Sequence, residues 1–341
     1  MKLKTLLSAL VFGALFAAPA YAAPLEMNFQ SLYNPAQRQN ADALEPWAKS
    51  FEEKSGGDMK MHFFYAGGLV EANAIYDSLK SGALDSAGWS TLDIKQTPYF
   101  YMCQLPYLTK NQQQAYNVFK KMYEEIPEMK ADLDSAGVLL SMAASAPVAI
   151  ASKDIKLRTP ADLAGKRVLV AGGGAFAEYV EAWGGIPVVV AMGDVYIGLQ
   201  RGMGEMFICG VSCVKGARVQ EFCKYMTVTG QTFTTPFPYT MNRALFEEDM
   251  NDQQRALTLE LSKDLGQNVI TSFLADVQNT YKEFEAAGME VYFPNEDEMK
   301  QWVDGAKSTI DKLWVRRLKD AGVANPEEWI KKYYDFSASV E

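Results

Sequence analysis

An α/β layered fold is the architecture that these 341 residues predict. Three observations carry it. Short apolar runs of strand type take turns with runs spaced three and four residues apart, the period of a helix. Glycine-containing turns separate many of them. Hydrophobic residues at 48% and charged residues at 22% supply a core and rule out a disordered chain. A β-α-β-α rhythm packs helices against a sheet in layers, and the length suits two domains of roughly 150 residues each.

The elements follow in order. Residues 25–32 alternate as a strand, and 42–54 place Leu44, Trp47, Ala48 and Phe51 on one helical face. A second strand, 60–65, turns through Ala66-Gly67-Gly68 into a short helix, 74–81, that Gly82 ends. Residues 85–90 lead toward a third strand. Helical spacing returns over 112–129, and 138–151 read as one long apolar strand crossing between the two halves. Thr159-Pro160-Ala161-Asp162 is a helix start, with Thr159 as N-cap and Pro160 at the first helical position. Strand, helix, strand and helix succeed one another at 166–171, 172–183, 186–191 and 194–201. Residues 233–239 are extended, again between the halves, and 252–287, 296–321 and 326–334 are helical.

Charge and composition narrow the function. Thirty-three Lys and Arg against 42 Asp and Glu leave a net charge of −9, which repels phosphate backbones and argues against nucleic acid as a partner. The one histidine, His62, lies in a strand and argues against His-based catalysis and His-rich metal sites. No G-x-S-x-G or H-E-x-x-H motif is present, so no catalytic residue, metal or cofactor is expected. Met1-Lys2-Leu3-Lys4, an apolar run over 6–18 and Ala20-Tyr21-Ala22 make residues 1–22 a secretory signal cleaved near Ala22. The run is shorter than the roughly 20 residues that span a bilayer, and the mature chain is expected in the periplasm. In that oxidising compartment Cys103, Cys209, Cys213 and Cys223 are either paired or buried as free thiols.

Residues 168–177 hold a strand, then Gly172-Gly173-Gly174, then a helix start, matching G-x-G-x-x-A with Asp194 about 20 residues beyond. An exported chain has little access to a dinucleotide, and the pattern sits mid-chain rather than at a domain's first strand. A ligand-lining turn is the better reading.

A set of segments points further. In order they are Pro46-Trp47-Ala48-Lys49-Ser50-Phe51-Glu52-Glu53-Lys54-Ser55-Gly56-Gly57, the helix ending Leu79-Lys80-Ser81-Gly82-Ala83-Leu84-Asp85, and Leu105-Pro106-Tyr107-Leu108. Thr159-Pro160-Ala161-Asp162-Leu163-Ala164-Gly165-Lys166 and Asp194-Val195-Tyr196-Ile197-Gly198-Leu199-Gln200-Arg201-Gly202 complete the set. They resemble the solute-binding proteins of tripartite ATP-independent periplasmic (TRAP) transporters, the DctP-like family, over nearly the whole mature chain. The resemblance implies a two-lobed, type II-like periplasmic binding protein whose lobes are joined by crossing strands and a long helix. It implies 23–147 with 232–275 as one lobe and 148–231 with 276–341 as the other. A small solute would bind between them, and the closed monomer would dock on a small and a large membrane permease subunit. The alternatives are an organic-acid (carboxylate) binding protein of the same family and an exported sensory binding protein, with an exported enzyme behind them.

The departures from the family pattern shape the expected pocket. The arginine that usually clamps the ligand's carboxylate falls on Leu169, with Arg167 two residues earlier; a second family arginine falls around Ala149 and an asparagine on Cys209. Positions that resemble family pocket sites are Tyr33, Glu71, Trp89, Ser90, Leu169, Gly172, Met192, Phe207, Cys209 and Phe233. Trp89 is expected in the cleft and Leu169 is expected to face the ligand. Aromatic faces with Glu71 suit an aromatic, neutral or amine-bearing solute; a carboxylate would have to be met by Arg167 or the glycine turn.

Overall fold

The computed structural model describes residues 23–35, 37–90, 96–171 and 174–340; the predicted signal segment lies outside them. The chain opens with β1 (Leu25–Gln30), α1 (Glu45–Ser55), β2 (Met59–Phe64), α2 (Ile75–Ser81), β3 (Ser86–Gly88) and α3 (Pro98–Tyr101). It continues with α4 (Gln112–Glu125), α5 (Pro127–Asp134), β4 (Val138–Ala144), β5 (Val148–Ser152), β6 (Arg167–Ala171), α6 (Ala175–Ala182) and β7 (Ile186–Val190). Then come α7 (Val195–Gln200), β8 (Met206–Gly210), α8 (Val211–Gly216), β9 (Tyr225–Gly230) and β10 (Pro236–Met241). Helices α9 (Asp252–Ser262) and α10 (Leu265–Ala286), strand β11 (Glu290–Tyr292), and helices α11 (Glu296–Asp320) and α12 (Pro326–Ala338) complete it.

Two mixed sheets result, ordered β2-β1-β3-β10-β4 and β11-β9-β5-β8-β6-β7. In the first, β1 runs parallel to β2 and β3 while β10 is antiparallel to β3 and β4. In the second, β5 runs antiparallel to β8 and β9. The predicted α/β layering is therefore present in two halves. Helix α1 buries the stripe of Trp47, Ala48 and Phe51 as its spacing predicts, and the Trp47 ring meets Phe29 of β1 edge-on at 5.0 Å. A large side chain such as Phe51 contributes roughly 1.5–3 kcal/mol by leaving water.

The chain passes between the sheets twice. The apolar run 138–151 is two strands rather than one: β4 ends in the first sheet and β5 begins in the second. The return passage links β9 to β10. The passages are tied together, with Ser145 N–H donating to the Thr235 carbonyl and Thr235 N–H to Ser145 Oγ, both at 2.9 Å. Helix α10 is the third link. A Cβ on Gly266 would lie 2.0 Å from the Met142 carbonyl oxygen, so glycine alone lets the helix rest this close on β4. At its far end Glu283 pairs with Lys215 of α8 at 2.8 Å, in the second half.

Other boundaries shift for local reasons. The helix expected over 112–129 breaks because Pro127 forces Ile126 into extended backbone, so α5 starts afresh. The helix expected over 252–287 breaks between α9 and α10, and the start predicted at Thr159 is a short 3-10 turn held by a Thr159–Asp162 capping box. The closing helix α12 touches two neighbours: Tyr333 Oη donates to the Tyr99 carbonyl at 2.6 Å, and Tyr334 Oη donates to Asp311 of α11 at 3.0 Å.

Trp89, expected in the cleft, is instead core: it is 1% exposed, packed between Tyr76 and Phe100, and its Nε1 donates to Thr240 Oγ1 at 2.9 Å. Trp89→Phe is accordingly expected to lower stability by about 1–2 kcal/mol, through the lost hydrogen bond and ring volume, and to leave solute affinity unchanged. Denaturant unfolding and a binding isotherm on the same preparation check both halves of this. Asp132 of α5 accepts the backbone N–H groups of Tyr99 and Phe100 at 2.7 and 2.9 Å. Burial nevertheless raises its carboxyl from the ordinary 3.8 to about 6, the two hydrogen bonds opposing the rise. The folded chain thus holds a proton that the unfolded chain releases, so stability falls as the pH climbs from about 4 to about 6, by on the order of 2 kcal/mol. Asp132→Asn should flatten that part of a melting-temperature-against-pH profile; an unchanged slope would place the titrating group elsewhere.

Candidate ligand-binding cleft

Where the two passages meet, a cavity of about 260 Å³ opens between the sheets. The segment after β1 supplies Leu32, Tyr33 and Gln37, and the first passage supplies Ser145, Ala146 and Val148. The return passage adds Phe233, Thr235 and Phe237, and α10 adds Phe273. The second half contributes Phe176 from α6, Gly210 from the end of β8, and Ser212 and Cys213 from α8.

Aromatic rings from distant segments form the walls. The Tyr33 ring meets Phe237 and Phe273 edge-on at 6.0 and 5.7 Å, and those two lie nearly parallel, 6.3 Å apart. Across the cleft, Phe233 stacks on Tyr179 at 5.3 Å and meets Phe176 edge-on at 4.9 Å. Such pairs are worth about 0.5–1.5 kcal/mol beyond area burial and hold the rings in place before a ligand arrives. Tyr33 Oη lies 3.2 Å from Tyr239 Oη. Burial pushes both phenols well up, so they stay neutral. Ser212 Oγ is buried with no hydrogen-bond partner in the protein, a polar group available to a solute. No described residue lining the cavity carries a charge.

Of the residues singled out in the sequence, Tyr33 and Phe233 line this cavity. Met192 stands behind its edge, with its Sδ 3.7 Å from Cys213 Sγ, and Cys209 is buried near the end of β8. Leu169, expected to face the ligand, is fully buried under α7: a Cβ on Gly198 or Gly204 would come within 2.9 or 2.8 Å of its side chain. Arg167 is exposed at the start of β6 and donates to the Gly202 carbonyl at 3.0 Å, away from the cavity. Glu71 is exposed before a 3-10 turn, Ser90 is half-buried after β3, and Phe207 is fully buried in β8; none lines the cavity. Gly172 lies outside the described residues.

Phe176, Phe237, Phe273, Ser212 and Cys213 went unmarked in the sequence. Phe237 stands in the extended stretch already assigned between the halves, which was the one available signal; the others belong to helices whose apolar faces read equally as core. A larger groove of about 610 Å³ runs between α4, α11 and α12. Its lining mixes charged groups, Lys307, Asp311 and Glu327 among them, with Leu108, Ile330 and Tyr334, and no strand contributes to it. The cavity at the passages is built by both halves.

Among the described residues, no helix is long and apolar enough to cross a membrane. Residues 31–317 match the family model described as bacterial extracellular solute-binding protein, family 7, DctP. A solute-binding protein from Chromohalobacter salexigens is 23% identical over 261 residues, 76% of each chain. One from Albidiferax ferrireducens is 24% identical over 287 residues, 82% of this chain and 80% of that one. Among solved structures, a marine-metagenome TRAP solute-binding protein described as specific for aromatic acid ligands, in complex with 3-hydroxybenzoate, superposes with a TM-score of 0.78. It is 18% identical, and the match covers 94% of this chain and 100% of that one. A TRAP solute-binding protein from Rhodoferax ferrireducens in complex with copurified benzoate gives 0.73 at 18% identity, covering 92% and 98%. The likeness to these structures shows the shared two-lobed α/β fold, and the match across residues 31–317 shows the rest: this chain belongs to the DctP family of bacterial extracellular solute-binding proteins.

Proposed function

We propose that this chain captures a small, uncharged aromatic solute between its lobes in the periplasm and delivers it, as a monomer, to the membrane subunits of a TRAP permease. The observation that carries the ligand class is the wall of the cavity: aromatic rings on both sides, hydroxyl and amide groups between them, and no charge on any described lining residue. A buried carboxylate or ammonium without a partner is costly, whereas a neutral ring gains from every face it meets. A dry cavity of about 150 Å³ already holds benzene, so about 260 Å³ suits one substituted ring. The amine reading loses its support because Glu71 stands outside the cavity. The solved relatives with benzoate and 3-hydroxybenzoate favour an aromatic ring and make the aromatic acid the competing reading.

The role is stoichiometric binding, without turnover or cofactor. The lobes meet where the chain passes between sheets, near 147/148 and 231/232, and Phe233 stands on one of those passages. A solute that touches both walls stabilises the closed arrangement over the open one, which is how occupancy becomes a shape that a permease can recognise. Residues 1–22 are removed on export.

Paired probes test the ligand class. Benzamide and benzoate differ little in shape but by one charge; benzyl alcohol, benzylamine and a C4 dicarboxylate extend the series. Thermal-shift titration of the ligand-free mature chain should favour the neutral aromatics, with a stabilisation of about 2.7 kcal/mol at 100 times the dissociation constant. Phe233→Ala should weaken that binding by about tenfold or more. Stabilisation by benzoate but not benzamide would overturn the neutral-solute reading in favour of an acid.

A further inference from the structure

Among the described residues, three other than glycine hold a positive φ: Tyr107, Arg218 and Asn325, at 48°, 54° and 50°. Asparagine tolerates that region through its short polar side chain, and Arg218 is exposed just ahead of a 3-10 turn. Tyr107 is the outlier, because a bulky aromatic residue brings its Cβ too close to the following carbonyl there. Such a residue persists only where its surroundings over-determine it, and here they do. The Tyr107 N–H donates to the Thr232 carbonyl at 2.9 Å, and its Oη lies 3.4 Å from Thr232 Oγ1. On one side the Pro106 carbonyl lies 2.8 Å from Tyr334 Oη; on the other, the Leu108 carbonyl accepts Ser337 Oγ at 2.5 Å. Tyr107 is thus fixed between α12 and the return passage, against the residue that precedes Phe233 of the cavity wall.

We propose that Tyr107 is a strained positioning residue whose backbone works against closure of the empty chain and is held in place when a solute bridges the lobes. The inference rests on the reading of the joint given above, in which the lobes turn near 231/232. Thr232 stands at that turn, so a swing of the second half carries its carbonyl away from the Tyr107 N–H. Tyr107 then loses the contact that holds its φ positive and relaxes to the ordinary negative region. In the arrangement described, both walls face one cavity, so the strain belongs to the arrangement that grips a solute. A penalty carried by one of two states lowers the population of that state, and with it the apparent affinity of any ligand that needs it. Tyr107 therefore sets affinity through the closed fraction while standing outside the cavity lining.

Glycine and alanine at this position separate strain from side chain. Both remove the ring and the hydroxyl, but only alanine keeps a Cβ. Calorimetric titration of the mature chain with benzamide, and separately with benzoate, should show Tyr107→Gly binding about five- to thirtyfold more tightly than Tyr107→Ala, the factor that the usual left-handed cost implies. Tyr107→Asn keeps a Cβ yet tolerates the region, so it should fall between them and reads the same strain even where glycine loosens the turn. Small-angle scattering of the ligand-free variants follows the same equilibrium without a solute, and Tyr107→Gly should be more compact than Tyr107→Ala. Equal affinities and equal radii, with only the melting temperatures differing, would reduce the strain to a stability cost and overturn the proposal. Tighter binding by Tyr107→Ala, or a more compact Tyr107→Ala, would overturn it too. If neither aromatic probe binds, the solute reading fails by itself, and the scattering comparison still decides for or against Tyr107.

Discussion

Everything in this molecule depends on satisfying the polar backbone of two chain passages that are buried between sheets rather than laid over a surface. A buried connection without partners carries a desolvation cost at each amide. Here hydroxyl side chains meet it. Thr229 Oγ1 donates to the Val148 carbonyl at 3.3 Å, Thr232 Oγ1 donates to the Thr229 carbonyl at 3.2 Å, and Ser145 Oγ accepts the Thr235 N–H at 2.9 Å. Tyr107 adds its N–H to the Thr232 carbonyl at 2.9 Å. A Thr-rich return passage facing Ser145 is thus the chemical condition for having two halves that are separate sheets and yet one continuous core.

The cavity inherits its character from the same place. Because its walls are the passages and the elements beside them, it is lined by small hydroxyl residues and by the aromatic rings that cover them. The charged groups of the second sheet lie elsewhere: Arg167 is spent on the Gly202 carbonyl at the start of its strand, and Lys215 is paired with Glu283 on the outer side of α8. Among the described residues, the groups that face the cavity are rings and neutral hydrogen-bonding groups, against which an unpaired charge would be costly to bury.

Much of the fold was legible. Strands β1, β2 and β3 alternate or end in turns, and α1 shows its stripe. The failures share a cause. Residues 206–210 and 225–230 are strands buried on both faces, so they lack alternation and read like any apolar run. Residues 138–151 are apolar on both sides of a passage with no glycine to mark it, so two strands looked like one. In the site, Tyr33 and Phe233 were legible by position, but Phe176, Phe237 and Phe273 are brought together from three separate segments by tertiary packing. Leu169 shows the limit of a register argument. It places a residue on a strand and says nothing of the glycines at 198 and 204 that make room for its side chain on the other side.

The attachment of α12 carries a practical consequence. The last helix holds the first half through Tyr333 and holds α11 through Tyr334 and Asp311. A tag or surface fixed to this helix pulls on both contacts at once, so a reporter group belongs on an exposed loop instead.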